Sequence, residues 1–187
     1  MNLLISILSF LGFQACGPRT CQIAYNSLET TGQEVDIGST ANGGNAIAQS
    51  FYVASATTLK SIALKLQKSG TVATGHTLSV TIVNDNSDNP TGSTLSTTMT
   101  LQTDSITTTS AYYTLTPTEF SISSGTYWIL IVSSYPVSAS GFIKAAAHDG
   151  TTGDYTYGKV KYRLSDGTTW STLNIGTLRD IVFEVGC

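Results

Sequence analysis

From about residue 33 onward, apolar residues recur at every second position, and a chain patterned this way folds into β-strands that bury one face. Ile62, Leu64 and Leu66 alternate with Ala63, Lys65 and Gln67, and Leu78, Val80 and Ile82 alternate with Ser79 and Thr81. The rhythm returns at Leu95, Thr97, Met99 and Leu101, and at Phe120 and Ile122. It returns again at Val160, Tyr162 and Leu164 against Lys159, Lys161 and Arg163, and at Ile181, Phe183 and Val185. One segment differs. Residues 127–132, Tyr-Trp-Ile-Leu-Ile-Val, are apolar on both faces, which predicts a central strand covered from both sides. Turn-forming clusters at 38–45, 69–70, 84–92, 123–125, 148–154 and 165–167 separate these runs. About nine or ten strands spaced this way predict an all-β fold, an antiparallel, jelly-roll-like β-sandwich in a single domain.

Composition agrees with that pattern. The 30 Thr and 23 Ser make up more than a quarter of the 187 residues, while only 11% are charged, against roughly 25% in ordinary domains. Threonine suits exposed strand faces because it is β-branched and hydrated. With 9 Lys+Arg against 12 Asp+Glu the net charge is −3, which sets aside a nucleic-acid surface built on clustered cations.

The chain divides into residues 1–22, an apolar N-terminal arm, and residues 23–187, the sandwich. The apolar run from Leu3 to Phe13 is too short to span a bilayer, which takes about 20 residues as a helix. Three readings of the arm stand, the last of them an ordinary core segment. The first is an uncleaved segment buried in an assembly. The second is a bacterial lipoprotein signal, in which Ala15 precedes a lipidated Cys16. No Lys or Arg precedes the run and Phe13 stands where an aliphatic residue is usual, which favours the uncleaved arm. The three cysteines leave one unpaired in an oxidising compartment. A Cys21–Cys187 bridge would tie the chain ends together; a local Cys16–Cys21 loop and three free thiols are the alternatives.

A succession of motifs then narrows the fold. It runs Gln49-Ser50-Phe51-Tyr52-Val53, Leu59-Lys60-Ser61-Ile62-Ala63-Leu64, Thr77-Leu78-Ser79-Val80-Thr81-Ile82 with Asn89-Pro90-Thr91-Gly92, and Ser124-Gly125-Thr126-Tyr127-Trp128-Ile129. Asp166-Gly167-Thr168-Thr169-Trp170 and Asp180-Ile181-Val182-Phe183-Glu184-Val185 complete it. Over residues 33–186 this order resembles the jelly-roll modules called choice-of-anchor domains, found in bacterial surface proteins and in phage virion and tail-fibre proteins. The resemblance implies an accessory or adhesive module without shared catalytic residues.

Three residue sets are candidates for binding. Asp85, Ser87 and Asn89 alternate in an Asn/Asp-rich loop whose oxygens could attract Ca²⁺, the one cofactor considered, although a tight strand connection uses the same residue types. Tyr155, Tyr157 and Trp170 could form an exposed aromatic platform for a sugar ring, or cover core. Cys16 is the candidate lipidation site. Catalysis has no motif to stand on: His148 and Asp149 are sequence neighbours, whose side chains point apart on an extended chain. The expectation is a non-enzymatic structural or attachment protein on a virion surface, a phage decoration, fibre or tail component. Its partners are other proteins of the assembly, reached through residues 1–22, and further copies of itself. The alternative is a bacterial outer-membrane or extracellular lipoprotein that binds cell-surface glycans.

Overall fold

The computed structural model describes residues 22–25, 33–40, 44–148, 158–163, 169–175, 177–178 and 180–187. Among them the chain is all-β, and every strand ladder is antiparallel. A six-stranded sheet runs in the order Ser171–Thr172, Val160–Arg163, Ala46–Val53, Gly125–Ser133, Thr77–Asn84, Met99–Gln102. The apolar segment predicted to be central is indeed central, lying between Ala46–Val53 and Thr77–Asn84.

The second sheet is built on Ser61–Gly70, which pairs along one side with Ala111–Leu115. Along its other side it meets Gly141–His148 through residues 66–70, then Phe183–Gly186 through residues 61–64. The switch falls at Val182, whose carbonyl accepts from Lys65 N at 3.3 Å and whose amide donates to Ala146 O at 2.8 Å. This wedge makes the sheet branch and curl. Glu34–Ile37 flanks Gly141–His148, and Gln22–Tyr25 flanks Phe183–Gly186.

The two sheets enclose one apolar core. Ile62, Leu64 and Leu66 from one face meet Leu78, Val80 and Ile82 from the other, as the alternation predicts. Phe51 and Phe183, on opposite sheets, approach with ring centroids 6.4 Å apart. Tyr135 closes one end of the core: its buried hydroxyl donates to Ile37 O and accepts from Ile143 N at 3.0 Å.

Three expectations need correction. The run from Leu95 to Leu101 forms a strand only at Met99–Gln102, because Ser96 Oγ takes the Ile82 amide at 2.9 Å that a continuing backbone ladder would use. A short 3₁₀ helix, Thr103–Ser105, follows it where no helical turn is predicted. Lys161 is predicted on an exposed face, yet its side chain is only 8% exposed.

Candidate functional site

The central strand Gly125–Ser133 puts Tyr127, Ile129 and Ile131 into the main core. Trp128, Leu130 and Val132 point to the sheet's other face, where a second, smaller apolar cluster forms with Ala46, Ala48, Val83 and Trp170. Ala46 and Ala48 are small, which leaves room beside the central strand for the two indoles. Cations border the cluster. Lys161 Nζ lies 5.7 Å from the Trp128 ring centroid, and the Arg163 guanidinium lies 5.2 Å from that of Trp170. Both distances fall within the range of cation–π attraction.

The Asn/Asp-rich loop covers the Trp128 end of this cluster. Asp85 Oδ1 accepts the Trp128 indole N–H at 2.7 Å, and its Oδ2 accepts the Asp88 amide at 3.2 Å. Ser87 and Asp88 have φ of 52° and 63°, while Asn86 and Asn89 exchange backbone bonds at 3.0 and 3.2 Å. That combination is a two-residue hairpin turn with left-handed centres. Lys159 Nζ pairs with Asp88 Oδ2 at 2.8 Å. Lys161 Nζ donates to Asp88 O and, at 2.9 Å, to Asn89 Oδ1.

Of the three candidate calcium ligands, Asp85 therefore serves the indole and Asn89 serves a lysine, while the Ser87 carbonyl accepts from Asn89 Nδ2 at 3.0 Å. The loop's oxygens converge on the tethered ammonium of Lys161, and among the described residues no three His, Cys, Asp or Glu side chains gather as a metal cage.

Of the proposed sugar platform, Trp170 alone lies among the described residues. Trp170 is only 9% exposed and has Arg163 over its ring, so it covers sheet instead of presenting an open face. Tyr155 and Tyr157 lie outside the described residues, as do Cys16 and Cys21. Cys187 is disulfide-bonded. Among the described residues the large hydrophobic side chain that is exposed is Tyr112, at 44%, with Lys65 Nζ 5.7 Å from its ring centroid on the paired strand. The alternation of Tyr112 and Thr114 against Tyr113 and Leu115 carried that signal.

The histidines are placed apart. His148 is buried in register with Asp180, and the His76 and Tyr135 rings meet at 72° with centroids 6.1 Å apart, His76 Nδ1 lying 3.4 Å from Ser134 Oγ.

No protein-family model matches the chain, and no curated protein matches it.

Proposed function

We propose that the protein is a non-enzymatic structural or attachment component: a sandwich displayed on a particle surface, of the phage decoration, fibre or tail kind, and held there by residues 1–22. One observation carries this reading. Gln22–Tyr25, where the arm meets the body, is laddered in register onto the C-terminal strand, Gln22 opposite Gly186 through Tyr25 opposite Phe183. Tension on the arm would enter the sheet at this ladder. The resemblance to choice-of-anchor modules supports the surface setting. The engagement of Asp85, Asp88 and Glu34 with Trp128, Lys159, Lys161, Lys144 and Gln67 supports a structural role for these carboxylates.

The test is co-purification. The full chain should travel with its particle, and a variant lacking residues 1–20, which keeps Cys21, should stay in the supernatant with an unchanged melting temperature. Equal co-purification of both chains would overturn the reading.

A second reading is favoured by the disulfide at Cys187, which belongs to an oxidising compartment. It is a bacterial surface lipoprotein lipidated at Cys16 and binding glycans. A native N-terminus at a diacylglyceryl-modified Cys16 would replace the first reading with this one.

A further inference from the structure

Three cations stand at alternate positions on one strand and its lead-in: Lys159, Lys161 and Arg163. Two of them have partners within the fold. Lys159 is 2.8 Å and Lys161 3.8 Å from Asp88 Oδ2, and Lys161 also caps the loop oxygens. Arg163 differs: among the described residues its guanidinium has no acidic partner and lies over the Trp170 indole. The contact holds the cation at the edge of the cluster, 5.2 Å from the indole centroid, and the planar guanidinium carries a fork of N–H donors that can take a carboxylate bidentately.

The surroundings define the rest of the ligand. Arg163 is opposite Ala46 in the sheet, and Ala46 is opposite Val132, so a small residue separates the guanidinium from an apolar shoulder. Val132 and its neighbour on the same face, Leu130, are only partly buried. One planar cation beside a low apolar step fits a ring that is apolar on one face and carries a single carboxylate. A polyanion would need more unpaired cations than the described residues of this face offer, and would meet a protein of net charge −3.

We propose that Arg163, held by Trp170, is the anchor of a binding site for a carboxylated sugar, a uronic or sialic acid, with Leu130 and Val132 under the ring. The proposal deepens the surface-attachment reading by naming a ligand class, and rests on it for where such sugars are met.

The test uses the full chain and isothermal titration with methyl glucuronide and N-acetylneuraminic acid, each compared with its carboxyl methyl ester. At least one acid should bind saturably, with its ester weaker by about tenfold or more, because esterification removes the charge and one bidentate acceptor. Arg163→Gln should lose binding to the same extent, and Arg163→Lys, which keeps charge without the fork, should fall between. Melting temperature reports that the variants fold, and the ester comparison needs no variant at all. Equal binding of acid and ester, no binding of either acid, or equally strong binding of inorganic phosphate would overturn the proposal. None of these outcomes bears on co-purification of the arm-deleted chain, so failure here is distinguishable from failure of the display reading.

Discussion

Gly38 gives its space to Tyr135. A Cβ at Gly38 would overlap the Tyr135 ring, and the glycine's φ of +78° is one that L side chains rarely adopt. The close approach lets the phenol reach Ile37 O and the Ile143 amide, tying Glu34–Ile37 to Gly141–His148 beyond their own ladder. Gly38→Ala should therefore be destabilised twice, by about 1–2 kcal/mol for the left-handed backbone and by about 1–3 kcal/mol for overpacking. Tyr135→Phe should lose about 1–3 kcal/mol, because it leaves both backbone groups without their buried partner. Urea denaturation measures each. A Gly38→Ala midpoint equal to that of the parent would refute the packing argument.

The same tyrosine sets an alkaline limit. Burial, with a smaller contribution from the nearby Asp36 charge, pushes its pKa well above the ordinary value of 10.0, against a lowering effect of the Ile143 hydrogen bond. The folded state thus holds this proton where the unfolded chain releases it. Its contribution is complete below about pH 10 and declines above it, at up to about 1.4 kcal/mol per pH unit. Stability measured from pH 9 to 11.5 should fall more steeply in the parent protein than in Tyr135→Phe. Parallel curves would exclude Tyr135 as the cause.

The loop over Trp128 makes a separate prediction. Asp85→Ala removes the acceptor of a buried indole N–H and should cost about 1–3 kcal/mol, whereas Asp85→Asn keeps an oxygen and should cost less. Ser87→Gly relieves a left-handed non-glycine residue and should be neutral or stabilising by up to about 1 kcal/mol. Since Lys161 occupies the loop's oxygens, millimolar calcium should leave the melting temperature of the parent unchanged. A calcium-dependent rise that Asp85→Ala abolishes would restore the metal reading.

How far the sequence revealed these features depended on distance along the chain. Period-two alternation is local, so the core positions at 62, 64 and 66 and at 78, 80 and 82 were legible. The two-faced apolar run at 127–132 correctly marked a strand buried on both sides, because coverage on the second face requires apolar residues there too. Lys161 looked like a solvated charge because the loop atoms that receive it, Asp88 O and Asn89 Oδ1, come from 73 and 72 residues away. Trp170 leaves two readings open in the sequence, an exposed platform or a cover for core, because the two small alanines that admit it lie on another strand. Polarity at a single position does not show which distant partner will satisfy it.

Gln49 is an instance with a measurable consequence. It is fully buried, its Nε2 donates to Asp180 Oδ1 at 2.7 Å, and its Oε1 accepts the Ile181 amide at 2.8 Å. One amide thus bonds the six-stranded sheet to Asp180–Ile181 in the other, across 131 residues of sequence. Gln49→Leu, similar in size, would take the Gln49 partner from a buried carboxylate and a backbone N–H together. A loss of about 3 kcal/mol or more is expected from denaturant unfolding. A change under about 1 kcal/mol would show that neither group depends on Gln49.

The chain ends supply the last prediction. Cys187 is disulfide-bonded, and the sequence has two other cysteines, Cys16 and Cys21. Gln22, the sequence neighbour of Cys21, pairs with Gly186, the sequence neighbour of Cys187, in an antiparallel ladder. A direct cross-strand pair is the separation a disulfide spans, whereas position 16 is five residues further along the chain. Digestion under non-reducing conditions should release a peptide joining Cys21 to Cys187, with Cys16 available to alkylation or carrying lipid. Reduction should cost about 2–4 kcal/mol by freeing the ends of nearly the whole chain, which lowers the melting temperature by several degrees in a protein of this size. Cys21→Ser should reproduce the effect of reduction and Cys16→Ser should not. A Cys16–Cys187 peptide would invert that pattern. It would also remove the free thiol on which lipidation at Cys16 depends.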